Sequence, residues 1–176
     1  MLHWLLAGGG LKIICLTEKR DNLLMWSHYA AKHSGAVVRF RCVRERDSVL
    51  LAAQPINYTK TAPFIATMDE WIRHLTGQQA LDYSAHAQRL VTTKSLEWKH
   101  EKEWRIIEFG RPDDNRLRLY DQFWPEEIES VSFGCRSDPK EVELIVAAIP
   151  PEMAHVEVFV ATKRDWQYGL DFRRIK

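Results

Sequence analysis

The spacing of apolar and polar positions changes several times along the chain, and each change marks an element. Lys12 to Thr17, KIICLT, is a short run rich in β-branched residues between Gly8-Gly9-Gly10 and a charged segment, which predicts a buried strand. From Asp21 the period becomes helical, with Asp21 or Asn22 placed to cap the helix and Gly35 placed to close it. Ala36 to Val43 then sets Val38, Phe40 and Cys42 against Val37, Arg39 and Arg41, a strand with one apolar and one cationic face. The stretch from Gln54 to Lys60 reads as a short strand ended by Pro63. Helical spacing returns between Met68 and Val91 through Trp71, Leu75, Leu81, Ala85 and Leu90, and Gly77 splits it into two helices.

Glu103 to Phe109, EWRIIEF, is a strand stopped by Gly110 and Pro112, with Arg116 to Tyr120 as its hairpin partner across PDDN. The last third gives a strand in IESVSFG and then a helix in PKEVELIVAAI, which Asp138 caps and Pro139 opens. Pro150-Pro151 ends that helix, and strands follow in HVEVFVAT and GLDFRRI. Strands and helices mix without regular alternation. The expected class is α+β, a mixed and largely antiparallel sheet with flanking helices, in a single domain over residues 1–176.

Composition narrows this picture. With 176 residues and 45% hydrophobic content, one compact domain can bury a sizeable core. Lys and Arg number 25 and Asp and Glu 24, so a polyanion finds no general attraction and needs a local patch. Cys15, Cys42 and Cys135 are far apart and form no C-x-x-C pair, the pattern of reduced, buried thiols in a cytoplasmic protein. The opening MLHWLLAGGG has no basic leader and is interrupted by His3. No apolar run approaches the roughly 20 residues that span a bilayer, so no membrane partner is expected.

Candidate chemistry concentrates in two places. In DNLLMWSHYAAKHSG, Met25, Trp26, Tyr29, Ala30 and His33 fall on one helical side, with His28 and Lys32 towards the other. His28 and His33 are five positions apart and point about 140° away from each other, whereas a shared metal needs i and i+4. No metal is therefore expected. Trp26 and Tyr29 suit either a core or a pocket wall, and His28 on the polar flank suits either a solvated surface or proton exchange near neutral pH.

In KSLEWKHEKEWRI, a strand starting by His100 puts Glu101, Glu103 and Arg105 on one face. Carboxylates about 7 Å apart beside an arginine can serve as base or electrostatic stabiliser, or can belong to an exposed ladder of opposite charges. No Ser-His-Asp order, phosphate loop or dinucleotide fingerprint is present, since the glycine run precedes a strand instead of opening a helix. Arg39, Arg41, Arg44 and Arg46 can meet phosphate, but Glu45 and Asp47 dilute them.

Read in order, ICLTE, DNLLMWSHYAAKHSGAVVRF, KSLEW, EKEWR and FWPEEIESVSFG resemble the bacterial domain of unknown function 2971 family. The family has no assigned activity, and its context is similar to that of phage-defence and toxin-type proteins. Its Glu-x-Glu ahead of Trp-Arg looks like the glutamate motif of ADP-ribosyltransferases. The resemblance implies an NAD-type nucleotide, with Glu103 stabilising positive charge on the ribose and Glu101 positioning the acceptor. It also implies His28 as a polar catalytic partner, and Trp26, Tyr29, Lys94, Trp98 and Arg105 as substrate contacts. Relatives carry a longer segment before the ICLTE strand, so a shortened N-terminus is expected here. The competing expectation is a non-catalytic binding or regulatory domain that meets a protein or nucleic acid through Arg39, Arg41 and the basic C-terminus.

Overall fold

The computed structural model describes residues 11–64, 66–109 and 123–176. Its strands, in chain order, are β1 (Leu11–Thr17), β2 (Ala36–Phe40), β3 (Gln54–Pro55), β4 (Asn57–Thr59), β5 (Thr93–Ser95), β6 (Glu103–Phe109), β7 (Ile128–Phe133), β8 (Glu157–Lys163) and β9 (Leu170–Arg174). The α-helices are α1 (Leu23–Tyr29), α2 (Met68–Leu75), α3 (Tyr83–Val91) and α4 (Pro139–Ala147). Helices and mostly antiparallel sheets make this an α+β chain.

The helices start where short polar side chains can satisfy their free N–H groups. Asn22 accepts from Leu24 and Met25, Thr67 and Glu70 form a reciprocal capping box, and Asp82 and Asp138 cap the other two. Gly77, at φ +74°, separates α2 from α3 as expected. The chain divides into two compact units, each assembled from two separate stretches.

The first unit combines the residues up to Glu18 with Ala53–Arg118. Here β6 is the middle strand, antiparallel to β1 on one side and β3 on the other, so that Thr17 lies opposite Glu103 and Cys15 opposite Arg105. β4 and β5 form a parallel pair that sets Tyr58 opposite Lys94. Ile56, Leu81, Ala87 and Ile106 are its buried apolar residues.

The second unit, Lys19–Ala52 with Leu119–Lys176, holds a sheet in the order β2-β7-β8-β9. β7 and β8 run parallel and are joined through α4, as a parallel pair requires a crossover. One core cluster packs Trp26, Ala30, Ala161 and Leu170, and another packs Phe133, Val142 and Val158.

Several expectations change here. Helix α1 ends at Tyr29 rather than His33, because Ala31, Lys32 and His33 all take left-handed φ values of 47°, 54° and 70°. Gly35 is not a left-handed cap. A Cβ there would lie 3.0 Å from the Ala30 carbonyl carbon, so close backbone approach is what requires glycine. β2 stops at Phe40 with an irregularity after Arg39, and Val37 packs on the Trp26 cluster while Val38 is exposed, the reverse of the expected faces. The segment from Gln54 splits into β3 and β4. On α3, Ala85 and Leu90 are exposed and His86 and Ala87 are buried.

Cys15 and Cys42 are exposed and Cys135 is half-buried, so the expectation of buried thiols fails for two of three. Among the described residues Cys15 sits on a strand with one neighbour, β6. The expected strand Arg116 to Tyr120 lies outside the described residues.

Candidate functional site

The first unit brings four charged side chains together. Lys94 is the middle residue of β5, Glu101 ends the 3-10 segment Leu96–Glu101, and Glu103 and Arg105 lie in the first half of β6. Glu101 is therefore not on the strand, as the alternating pattern predicted. Lys102 turns left-handed at φ 47° between the two glutamates, and this turn, not the strand period, brings both carboxylates to one lysine. Glu103 and Arg105 do share a strand face.

Lys94 Nζ donates to Glu101 and, at 2.8 Å, to Glu103 Oε2. Arg105 grips Glu103 in the forked geometry a guanidinium favours, with Nε 2.6 Å from Oε1 and Nη2 3.2 Å from Oε2. The Glu103 N–H donates to the Tyr58 hydroxyl at 2.8 Å, and Ile56 N–H donates to the Glu103 carbonyl at 3.0 Å. The Thr17 hydroxyl donates to the Glu101 carbonyl at 2.6 Å. Glu101 is 2% exposed and Glu103 5%, which excludes the exposed charge ladder that the sequence left open.

Two buried carboxylates and two cations cancel, and pairing offsets the cost of taking them out of water. Burial by itself would raise the Glu103 carboxyl, but hydrogen bonds from Arg105, then Lys94, then the Cys15 thiol overturn this and hold it at about 2. Burial tends to lower Lys94, and its bonds to Glu101 and Glu103 override that and raise it. The Glu103 bond raises Arg105, and partial burial followed by Glu103 pushes the Cys15 thiol up. A carboxylate held at about 2 stays ionised near neutral pH and makes a poor proton acceptor there. Of the two roles the sequence left open for Glu103, the bonds from Arg105 and Lys94 favour fixed negative charge over proton acceptance.

Lys94 Nζ lies 5.0 Å from the Trp98 ring centroid, and Trp98 is partly exposed. The His100 ring lies 6.0 Å from the same indole, beside the charged group. Among the described residues no set of three His, Cys, Asp or Glu side chains is arranged to hold a metal ion.

Trp26, His28 and Tyr29 belong to the second unit. Trp26 is 1% exposed in its core, with its indole N–H donating to the Arg20 carbonyl at 2.6 Å and its ring stacked on His33 at 6.4 Å. A pocket-wall role for Trp26 is thus corrected to a core role. Tyr29 leaves the expected apolar stripe and is 63% exposed, with His28 exposed beside it at 6.2 Å. The buried stripe is Trp26 and Ala30, spaced i and i+4.

Sequence reasoning missed Tyr58, Thr17 and Cys15 as neighbours of the glutamates. Tyr58 is 45 residues from Glu103 and Thr17 is 84 from Glu101, so no spacing rule reaches them. Strand pairing alone makes them adjacent.

Residues 25–106 match a family model described as protein of unknown function (DUF2971). That segment includes Lys94, Trp98, Glu101, Glu103 and Arg105. No curated protein and no solved structure matches the chain.

Proposed function

We propose that this chain, whose residues 25–106 match the DUF2971 family model, is an ADP-ribosyltransferase-like domain that binds an NAD-type nucleotide, in a cytoplasmic bacterial effector of the phage-defence or toxin type. The observation that carries this reading is Glu103, a buried carboxylate kept ionised and fixed in direction by Arg105 and Lys94. A fixed anion is what stabilises positive charge developing on a ribose as its bond to nicotinamide breaks. Glu101, tied to the same lysine, orients the acceptor, and Trp98 offers a partly exposed ring for a base or nicotinamide to stack on. The proposal uses the first unit alone.

A second reading is favoured by a specific observation: both oxygens of Glu103 are already bonded, so the charged group is complete without a ligand. On that reading the group is structural and the protein is a non-catalytic binding domain for a protein or nucleic-acid partner. Arg39 and Arg41 then contribute to the contact surface. Arg39 pairs with Glu129 at 3.2 Å and Arg41 Nε donates to the Glu126 carbonyl at 2.7 Å.

The deciding experiment incubates the full chain with labelled NAD and cell extract and follows melting temperature with and without NAD. Under the first reading NAD raises the melting temperature by mass action and label is transferred. Glu103→Gln abolishes transfer, and Trp98→Ala, which leaves the ion pairs intact, weakens the NAD shift. No NAD shift, or transfer that survives Glu103→Gln in a variant that still melts cooperatively, removes the catalytic reading.

A further inference from the structure

The loop between β8 and β9 presents Trp166 and Tyr168 fully to solvent, the only two fully exposed large aromatic side chains among the described residues. An indole and a phenol in water carry a large unburied apolar area, which marks a contact surface. Trp166 also holds φ at 61°, a left-handed conformation that is unfavourable for a bulky residue.

The base of this tip is fixed. Arg164 N–H donates to the Gly169 carbonyl at 3.2 Å, and Arg164 Nε pairs with Asp171 at 2.8 Å. A Cβ on Gly169 would lie 3.0 Å from Arg164 Cδ, so glycine lets that side chain lie across the hairpin neck. Leu170, the next residue, is buried with Trp26, Ala30 and Ala161. The rings are thus held outward by an anchored neck and ordering them on a partner costs little entropy.

The surrounding charge selects the partner. Between Lys163 and Lys176 there are five cations, Lys163, Arg164, Arg173, Arg174 and Lys176, against the two carboxylates Asp165 and Asp171. Arg164 is committed to Asp171 and Arg174 to Glu157, while Lys163 and Arg173 are exposed on the two strands that carry the tip. By register Lys163 lies opposite Leu170 at the neck of the tip and Arg173 opposite Val160, three rungs further along. Aromatic rings and cations are the two components that hold single strands, bases stacking on the rings and phosphates meeting the cations. Asp165 and Gln167 interleave with the aromatics, and lipid insertion would take the Asp165 charge out of water, which disfavours a bilayer.

We propose that the β8–β9 tip binds single-stranded nucleic acid, with Trp166 and Tyr168 stacking on bases and Lys163 and Arg173 supplying charge to the backbone. This deepens the binding reading and is independent of Glu103. Label transfer tests one and strand binding the other, so each can fail separately.

The experiment titrates the full chain into fluorescently labelled poly-dT and poly-U strands, a duplex, and vesicles containing phosphatidylserine, while following intrinsic tryptophan fluorescence. Single strands are expected to bind at low salt with quenching. Trp166→Ala and Tyr168→Ala should each weaken binding about tenfold, whereas Lys163→Ala with Arg173→Ala should flatten the salt dependence. Both aromatic side chains are fully exposed, so unchanged melting temperatures are expected for their variants. Absence of strand binding, equal affinity in the aromatic variants, or Trp166-dependent attachment to vesicles but not strands overturns the proposal.

Discussion

At the scale of single residues, the charged group in the first unit is a chain of dependencies. Glu103→Gln leaves the Arg105 guanidinium without its anion and Lys94 with one carboxylate, at positions where water is mostly excluded. A loss of about 3 kcal/mol is expected, read from denaturant midpoints. A loss under about 1 kcal/mol would mean that the group is far more hydrated than its burial indicates. Gly134 gives a steric counterpart. A Cβ there would lie 2.0 Å from the His33 carbonyl oxygen, and backbone cannot yield as a flexible side chain can. Gly134→Ala should therefore destabilise by about 3 kcal/mol or more, measured by thermal and denaturant unfolding.

The element that departs most from local preference is the turn after α1. Three consecutive non-glycine residues, Ala31, Lys32 and His33, sit in the left-handed region, each at a cost of about 1–2 kcal/mol. Several bonds hold them there. Gly35 N–H donates to the Ala30 carbonyl and Arg136 N–H to the His33 carbonyl, both at 2.9 Å. Gly134 N–H donates to the Gly35 carbonyl at 2.9 Å, and the Ser137 hydroxyl donates to the Ser34 carbonyl at 2.9 Å. Lys32 is exposed, so Lys32→Gly relieves strain without removing a core contact and should stabilise by about 1 kcal/mol. Lys32→Val should destabilise, because a branched Cβ fits the left-handed region worst. A reversed order in melting temperature would show that the turn is not held left-handed in solution.

Elements were legible in the sequence where local chemistry governs them. Thr67 and Glu70, Asp138 with Pro139, and Gly77 each announce a helix boundary through their own bonding or backbone freedom. The left-handed turn was not legible, because A-A-K-H carries no residue that prefers positive φ and the helical stripe continues through it. Tyr29 was misplaced because the helix ends with it, and only Trp26 and Ala30 of the expected stripe are buried.

At the scale of the whole molecule, linkage ties stability to pH. Glu103 is held at about 2 against the ordinary 4.5, so the folded state binds fewer protons than the unfolded chain across that interval. The stabilisation is complete above about 4.5 and is lost as pH falls towards 2. Acid unfolding of the native chain followed by circular dichroism should steepen in that window, and Glu103→Gln should make the dependence shallower. The near balance of 25 basic and 24 acidic residues adds a second expectation: any strand affinity belongs to a local patch and falls modestly with salt, not steeply.

The amino-acid sequence by itself determined the α+β class, most strand and helix positions and the concentration of charge at Lys94 to Arg105, because periodicity and capping act within a few residues. Tertiary structure decided what those residues become. It buried the glutamates by pairing β1 and β3 with β6 and by setting Lys94 of the β4–β5 pair against both carboxylates, supplied Tyr58 and Thr17 from far along the chain, and placed Trp26 inside a core. Burial and the partner that satisfies a charge are properties of segments brought together across long separations, and no local pattern encodes them.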